Sequence, residues 1–239
     1  MTAKLLVVVP IVGLDRDVVQ RRVDMVRGLA GPGFDVDFKV VEDGPASIET
    51  ITEEELGAAA TLRLLNKLGP HPADAVIIWC AGDPGVLAAR ELLDCPVVGP
   101  GESAIRLAAL LSYRFGVLTP LPGEATPTAL LVERLGFSSR FVGTAAIGIP
   151  VLQIRRDLAT ATERIVTAGQ MLIDRGAHGI VLGCLAMFGL GRAVQDHLGV
   201  PVLDPAECAV QFAKLLIDGG YTFSRITYAQ PPKPVLTIT

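Results

Sequence analysis

The sequence predicts an α/β fold in which parallel strands are covered by helices on both faces. Short aliphatic runs alternate along the chain with amphipathic stretches of helix length, as in successive strand–helix–strand units. Half of the 239 residues are apolar and only 19% are charged, which fits strands that lack a polar face. A third observation, an internal repeat, indicates that the chain folds as two copies of one unit.

The first copy opens with clear strand and helix signals. The run from Leu5 to Pro10 is short, apolar and rich in valine, which predicts a strand buried on both faces. Apolar residues at helical spacing predict a helix from about Asp15 to Leu29. Alternation from Val36 to Val41 predicts a second strand. This order implies a right-handed crossover between two parallel strands.

The rest of the first copy continues the alternation. A capping-box pattern at Thr52 and Glu55 predicts a helix that runs to about Leu68. The run from Ala75 to Trp79 predicts a third buried strand, which ends just before a cysteine. The dipeptide Asp83-Pro84 has the residue types of an N-cap and a first helical position, so we expect a helix to begin there.

The internal repeat is visible as matching segments in the two halves. Ala73–Cys80 matches Ala177–Cys184, since each is an apolar strand that ends in cysteine and leads into a turn of small residues. The matches that follow are Pro96–Pro100 with Pro201–Pro205 and Glu102–Leu111 with Glu207–Leu216, and looser ones are Leu5–Pro10 with Phe115–Pro120 and Val36–Val41 with Phe141–Ile147. The repeat predicts two similar α/β domains, the first of residues 1–100 with 206–239 and the second of residues 101–205.

Charge and hydropathy argue against several classes of function. The formal net charge is −4, whereas surfaces that bind nucleic acid are basic. The apolar run at residues 5–14 is about half the ~20 residues that a membrane-spanning helix needs, and it lacks the features of a secretory signal. We therefore expect a cytoplasmic protein with neither a nucleic-acid nor a membrane partner.

Cysteine and histidine are too sparse for a disulfide scaffold and lack the spacing of a zinc site. The chain has four cysteines and three histidines, which are Cys80, Cys95, Cys184, Cys208, His71, His178 and His197. The segment Gly189-Leu190-Gly191 lacks the third glycine and the acidic partner of a dinucleotide-binding fingerprint. We therefore expect reduced thiols, no metal and no cofactor.

Cys80 and Cys184 are the strongest candidates for chemistry. Each follows a buried strand and precedes a predicted helix, and ligands of open α/β sheets bind at the carboxyl ends of the strands. The N–H groups at a helix start lower the pKa of a nearby thiol and donate to a developing oxyanion. If the two halves face each other, a planar carbanion between the thiols can lose a proton to one and regain it from the other. That geometry inverts a stereocentre without a cofactor.

The alternative is that these cysteines are ordinary small core residues. That explanation suffices for one cysteine alone, but it does not account for two at equivalent places in a repeat. It suits the other two cysteines, which we expect to be structural. Cys95 precedes a proline at the end of a helix, and Cys208 matches Ser103 in the repeat, so its position does not require a thiol.

Three segments resemble one known family. They are Cys80-Ala81-Gly82-Asp83-Pro84-Gly85, Gly183-Cys184-Leu185-Ala186-Met187 and the loop Gly44-Pro45-Ala46-Ser47-Ile48-Glu49. Each is similar to a motif of the hydantoin racemase branch of the aspartate/glutamate racemase superfamily. The resemblance extends over about residues 4–220, and Pro96–Gly99 and Pro201–Pro205 also fit it.

The resemblance implies two pseudo-symmetric flavodoxin-like (Rossmann-like) domains with the active site in the cleft between them. It implies a cofactor-independent racemase that inverts C5 of a 5-substituted hydantoin or related cyclic ureide, with Cys80 and Cys184 as opposed acid and base. A small-molecule substrate and a homo-oligomer are further implications. The substrate-binding positions that it implies are Pro10, Ile11, Gly44, Pro45, Ala81, Gly82, Thr119, Leu185 and Ala186, of which Ala81, Gly82, Leu185 and Ala186 act through backbone N–H groups.

The end of the first strand departs from the family's pattern. Family members often carry Asn-Pro-Asn there, whereas this chain has Val9-Pro10-Ile11. Either backbone groups from Ile11 to Gly13 bind the ligand instead, or the substrate is altered or more apolar. The sequence leaves both explanations open.

Two other functions stay open. One is another two-cysteine racemase or isomerase that acts on allantoin, on aspartate or glutamate, or on a maleate-like diacid, and in the isomerase a cysteine attacks as a nucleophile. The other is a non-enzymatic small-molecule binding protein of the same fold. A covalent adduct would identify the isomerase, and ligand binding without proton exchange would identify the binding protein.

Three carboxylates near the motifs have competing explanations. Asp83 and Asp204 each precede a proline, so we expect them to be N-caps rather than catalytic groups. Glu49 either hydrogen-bonds a ligand or supports its own loop.

Overall fold

The computed structural model describes residues 2–233, and these form two parallel sheets of four strands each, flanked by helices. The strands are β1 (Ala3–Val9), β2 (Phe34–Val40), β3 (Ala75–Ile78), β4 (Val97–Val98), β5 (Phe115–Thr119), β6 (Phe141–Ala146), β7 (Gly179–Leu182) and β8 (Val202–Leu203). The helices are α1 (Arg16–Ala30), α2 (Ile51–Leu68), α3 (Val86–Leu92), α4 (Pro100–Leu111), α5 (Ala125–Arg134), α6 (Val151–Ile154), α7 (Leu158–Asp174), α8 (Gly191–Leu198) and α9 (Pro205–Asp218).

The two sheets have the same strand order. It is β2-β1-β3-β4 in the first and β6-β5-β7-β8 in the second, and the strands of each sheet are parallel. The α/β fold and the repeat predicted from the sequence are therefore confirmed. Because parallel strands end at the same edge of a sheet, the residues that follow β3 and β7 occupy equivalent places.

The central strands are buried on both faces, which explains the high apolar fraction. Every residue of β3, β5 and β7 is buried. In the first sheet, Leu5 of β1 lies between Val36 and Ala75 in the strand register. Such strands have no solvent-facing side, so their sequences do not alternate with polar residues.

The start of α2 differs from the prediction. The helix begins one residue after Thr50, its N-cap, so the capping box placed at Thr52 and Glu55 is wrong by two residues. The Thr50 side chain accepts a hydrogen bond from the Glu53 N–H at 3.2 Å, and the Glu53 carboxylate accepts one from the Glu49 N–H at 2.8 Å. The capping box is therefore formed by Thr50 and Glu53, and it also fixes Glu49 at the end of the preceding loop.

The turn after Cys80 also differs from the prediction. Helix α3 begins at Val86, after Gly85 with φ of 72°, rather than at Pro84. Asp83 itself has φ of 59° and belongs to the turn. The N-cap role expected for Asp83 at the start of this helix is therefore wrong, because its side chain points to a different helix.

The chain passes from the first sheet to the second through α4 and returns through α9. Ile105 of α4 shares a core with Phe115 of the second sheet, whereas Val210 of α9 shares a core with Leu5 of the first. We therefore propose two domains, residues 1–100 with 206–239 and residues 101–205. Residue 1 and residues 234–239 of the first domain lie outside the described residues.

Of the helices formed by residues 2–233, none combines the length and the apolar character that crossing a membrane requires.

Candidate active site

Both candidate cysteines line one cleft between the two sheets. Cys80 follows β3 and Cys184 follows β7, so the cleft opens at the carboxyl ends of both sheets. The other sequence-predicted residues that line it are Pro10, Ile11, Ala81, Gly82, Leu185 and Ala186. The structure thus brings these eight residues together, and their catalytic and binding roles stay predictions.

Three predicted binding residues lie outside the cleft lining. The Pro45 carbonyl accepts a hydrogen bond from the Val12 N–H at 2.9 Å. Gly44 has φ of 149°, and a Cβ built on it would lie 3.7 Å from the Pro10 carbonyl oxygen. Gly44 and Pro45 therefore support the loop after β1. Thr119 is buried, and its hydroxyl has no hydrogen-bond partner among residues 2–233.

Backbone N–H groups contact both sulfurs. The Ala186 N–H donates to Cys184 Sγ at 3.4 Å, and the Gly82 N–H stabilises the thiolate form of Cys80. The Cys80 turn is closed by a hydrogen bond from the Asp83 N–H to the Cys80 carbonyl at 3.2 Å. Two of the N–H groups assigned to substrate from the sequence are thus directed at the sulfurs in this structure.

Burial raises the pKa of both thiols, so the expected lowering of their pKa is wrong. Loss of hydration is the largest cause at each sulfur, and it raises the pKa of Cys184 to about 12 and that of Cys80 well above its usual range. Each sulfur has one N–H donor that opposes this effect. Neither cysteine directly starts a long helix, because a short 3-10 turn at Leu185–Met187 follows Cys184 and α3 begins only at Val86.

The Asp83 carboxylate anchors the Cys80 turn to α4. Its Oδ1 accepts a hydrogen bond from the Gly101 N–H at 2.8 Å and its Oδ2 accepts one from the Glu102 N–H at 2.6 Å. A Cβ on Gly99 would lie 2.5 Å from Asp83 Cγ, so glycine leaves room for this carboxylate. Asp83 therefore caps α4 from a distant loop.

Asp204 makes the corresponding link in the second half. It occupies the repeat position of Gly99 and caps α9 through the Ala206 N–H at 2.9 Å, which confirms its predicted N-cap role. Its other carboxylate oxygen accepts a hydrogen bond from the Gly189 N–H at 2.7 Å, in the loop that follows Cys184. In each half, a buried carboxylate thus joins the cysteine loop to the start of a helix. Asp83 belongs to the loop and reaches the helix, whereas Asp204 belongs to the helix start and reaches the loop.

Glu49 connects the two halves at the edge of the cleft. Its Oε1 accepts a hydrogen bond from the Val151 N–H at 2.6 Å, at the start of α6. Glu49 lies in the loop after β2, so this bond joins a first-half loop to a second-half helix. Glu49 also lines the cleft, so this bond fits the supporting role, and the ligand-binding role that the sequence left open stays a prediction.

Sequence reasoning missed two carboxylates that line the cleft. Glu54 lies in the first turn of α2, and Glu124 precedes α5. Burial raises the pKa of both carboxyl groups, that of Glu124 to about 8, so Glu124 is largely protonated at neutral pH. Acidic residues are ordinary at helix starts, so these positions carry no sequence signal of a site.

Sequence reasoning also missed two buried donors in the cleft lining. Arg22 Nε and Trp79 Nε1 have no hydrogen-bond partner within the described part of the chain. Arg22 lies on the buried face of α1, four residues before the buried Val26. A charged residue in phase with the apolar face of a helix is the signal that could have identified it. Buried donors without partners are available to a ligand.

Several known proteins that this chain resembles are racemases of one family. The family model for Asp/Glu/Hydantoin racemase matches residues 16–213, a span that includes both cysteines of the cleft. The chain is 36% identical over 192 residues to a hydantoin racemase of Pseudomonas sp. (strain NS671), covering 80% of this chain and 77% of that protein. It is 36% identical over 194 residues to a hydantoin racemase of Paenarthrobacter aurescens, covering 79% and 81%. Among solved structures, an allantoin racemase from Pseudomonas fluorescens aligns with a TM-score of 0.90 at 31% identity, covering 98% of this chain and 100% of that one.

Proposed function

Since the chain belongs to the Asp/Glu/hydantoin racemase family and is a racemase, we propose that it inverts C5 of a 5-substituted hydantoin or related cyclic ureide by proton transfer between Cys80 and Cys184. The observation that carries this proposal is that the two sulfurs follow equivalent strands of different sheets and line one cleft. An acid and a base held on two sides of one carbon are what inversion by proton transfer requires.

The proposed reaction moves one proton off C5 and another onto it. The thiolate of one cysteine takes the C5 proton, and the electron pair passes into the adjacent carbonyl as an enolate. The thiol of the other cysteine then donates its proton to the opposite face of C5. The product has the inverted centre, and the proton of the thiol pair has changed sulfur. No oxidation state changes, so the chemistry requires no cofactor.

Hydrogen-bond donors in the cleft support the enolate in this proposal. Ala81 and Leu185 line the cleft and directly follow the two cysteines, and the buried Trp79 Nε1–H has no partner among residues 2–233. A donor aimed at a developing oxyanion contributes about 3 kcal/mol to transition-state stabilisation. Such donors match the carbonyl oxygens of a cyclic ureide.

The cleft carboxyl groups favour a C5 substituent that carries N–H groups. Glu54 and Glu124 both line the cleft, and a carboxyl group accepts hydrogen bonds from amide N–H groups. Allantoin, a hydantoin with a ureido group at C5, is therefore our second candidate substrate. The similarity to an allantoin racemase at a TM-score of 0.90 supports the same choice.

Racemisation in deuterium oxide tests the proposal. We expect a single enantiomer of allantoin or of a 5-alkyl hydantoin to lose its circular dichroism while deuterium enters C5, because the proton returned to carbon comes from an exchangeable thiol. Mass spectrometry of the recovered substrate measures the incorporation. Whichever of the two compounds is racemised faster shows whether the enzyme prefers a ureido or an alkyl substituent at C5.

Other results would identify the alternatives. Loss of optical activity without deuterium at C5 would exclude proton transfer. A covalent adduct on Cys80 or Cys184 would indicate nucleophilic isomerase chemistry. From the sequence alone, binding of a hydantoin with neither exchange nor inversion would identify a binding protein. Because the chain belongs to a racemase family, the same result would now indicate that its substrate is another compound.

We expect kcat/KM for racemisation to rise with pH through the neutral range. The active form holds one thiolate and one thiol, and because burial raises the pKa of both Cys80 and Cys184, that form is scarce at neutral pH. Below the first apparent pKa of the pair, each rise of one pH unit then increases the rate about tenfold. The measurement is kcat/KM for one enantiomer against pH, corrected for spontaneous racemisation. A flat profile through neutral pH would contradict the raised thiol pKa values.

The family assignment implies a small-molecule substrate. The homo-oligomer that the sequence resemblance implies stays a prediction, which sedimentation equilibrium can test.

A further inference from the structure

Arg22 is a buried cation that the proposed reaction has not used. The residue is 9% exposed and lines the cleft that holds both cysteines. Its Nε has no hydrogen-bond partner among residues 2–233. Burial of an unpaired charge is costly, so a guanidinium in this position requires a negative charge close to it during function.

The charges around the two sulfurs differ, although the two halves share one backbone design. At Cys184, the Arg22 guanidinium favours the thiolate, and Cys184 in turn favours the charged form of Arg22. At Cys80, the acidic neighbours are Glu54 and Asp83, and each disfavours a thiolate when it is ionised. Burial raises the pKa of both carboxyl groups, that of Asp83 to about 8, so Asp83 adds little negative charge at neutral pH. The cleft therefore has a cation that acts on Cys184, whereas no cation within residues 2–233 is among the main groups that act on Cys80.

Other charged groups near Cys184 do not cancel this difference. Burial raises the pKa of Glu124 to about 8, so this group adds little negative charge at neutral pH. Glu49 also disfavours the Cys184 thiolate, but its effect is smaller than that of Arg22. Arg155, the other cation near Arg22, donates to two backbone carbonyls at 3.2 and 3.0 Å. Arg22 is thus the cation whose charge is available to the sulfur.

We propose that Arg22 is a positioning residue that directs the single negative charge of the thiol pair to Cys184, so that Cys184 is the base and Cys80 the acid in the free enzyme. The enantiomer whose C5–H faces Cys184 then meets the enzyme in its prevailing form. The other enantiomer requires the proton to move from Cys80 to Cys184 first. This catalytic consequence rests on the proposed function, whereas the charge distribution itself is a property of the free enzyme.

Alkylation of the free enzyme by iodoacetamide tests the charge distribution without substrate. The thiolate forms an S–C bond and iodide leaves, so the pH midpoint of each cysteine's rate reports its ionisation independently of its accessibility. Peptide mass spectrometry follows each cysteine from about pH 6.5 upward to about pH 12, so that the range reaches the raised pKa of Cys184. In the unaltered enzyme we expect a lower midpoint for Cys184 than for Cys80.

Substitution of Arg22 should remove that difference. In Arg22→Gln, we expect the Cys184 midpoint to rise by about one pH unit, which is about tenfold slower alkylation at a fixed pH below it. Arg22→Lys should keep most of the difference, because it keeps the charge. Arg21→Gln is the matched control, since it removes the same charge from an exposed neighbour on α1 and should leave the midpoint unchanged.

The buried cysteines report folding in the same experiment. Cys95 and Cys208 are buried, so they should stay unreactive in every folded variant. If Cys95 and Cys208 become reactive in Arg22→Gln, that variant is not folded and its midpoints are not used. The proposal is then tested by the midpoints of the unaltered enzyme and by the comparison of Arg22→Lys with Arg21→Gln.

Several results would overturn the proposal. Equal midpoints for Cys80 and Cys184 in the unaltered enzyme would do so without any variant. An unchanged Cys184 midpoint in folded Arg22→Gln, or an equal shift in Arg21→Gln, would do so as well. Different midpoints without deuterium exchange would reject only the proposed racemisation, whereas exchange with equal midpoints would reject only the role of Arg22.

Discussion

We expect Cys80→Ser and Cys184→Ser each to lower the racemisation rate by at least about 10²-fold, because acid–base catalysis by a positioned group contributes about 10²–10⁴-fold. Serine is nearly the same size as cysteine, but its hydroxyl is too weak an acid to supply a base at either position. The decay of the circular dichroism of one enantiomer measures the rate. The far-ultraviolet spectrum of each variant checks that it is folded.

The two variants should differ in the enantiomer whose C5 proton they still exchange. In Cys80→Ser, Cys184 can still remove a proton and return one to the same face, so one enantiomer gains deuterium without inversion. Cys184→Ser should do the same with the other enantiomer. Exchange of the same enantiomer by both variants would contradict a reaction that uses two faces of one carbon.

Cys208→Ser is the matched control for these substitutions. Cys208 is buried in α9 at the repeat position of Ser103, whose hydroxyl donates to the Gly99 carbonyl at 2.7 Å. A serine at residue 208 has the Asp204 carbonyl in the corresponding place, since the Cys208 N–H already donates to it at 2.9 Å. We therefore expect nearly full activity. Full activity in Cys80→Ser or Cys184→Ser would falsify the two-cysteine mechanism.

Local sequence patterns are sufficient to predict the fold and the meeting of the two cysteines. The apolar runs of β1 and β3 follow directly from burial on both faces, and turns of glycine and proline separate the elements. The repeat aligns Cys80 with Cys184 because equivalent strands end at both places. The parallel topology then brings both to the ends of their sheets.

The missed features depend on contacts between residues far apart in the chain. Asp83 has the local pattern of an N-cap, but its carboxylate binds Gly101 and Glu102 at the start of a later helix. Arg21 and Arg22 are adjacent arginines, and tertiary packing alone decides that the second is buried. The raised thiol pKa values likewise follow from burial in the assembled cleft, which outweighs the local N–H donors.

The opposite placement of the anchoring carboxylate in the two halves predicts a compensating pair of substitutions. Gly99 has φ of −93° and ψ of 126°, close to the −86° and 115° of Asp204, so its backbone accepts an aspartate. Asp83 has φ of 59°, a conformation that favours glycine. The carboxylate can therefore move from residue 83 to residue 99 without a change in backbone conformation.

Each single substitution should be harmful. Asp83→Gly leaves the buried Gly101 N–H and the part-buried Glu102 N–H without their acceptor, at a cost of up to about 1–3 kcal/mol each, and it releases the Cys80 turn. Gly99→Asp alone places a Cβ 2.5 Å from Asp83 Cγ and puts two carboxylates into one buried space. Both variants should unfold at lower urea concentration. Their kcat/KM should fall by up to about 10²-fold, because a displaced catalytic group loses its alignment.

We expect the double variant Asp83→Gly/Gly99→Asp to recover most of the stability and rate that the single variants lose. Its new carboxylate can cap α4 as Asp204 caps α9. Gly85, with φ of 72°, can offer the N–H that Gly189, with φ of 79°, offers in the second half. Urea unfolding of the four proteins gives the coupling energy, which is zero if the losses simply add. Recovery of stability without rate would show that the carboxylate caps α4 but does not position Cys80. Additive losses would show that the two halves share a backbone conformation, but that a carboxylate at residue 99 cannot replace the one at residue 83.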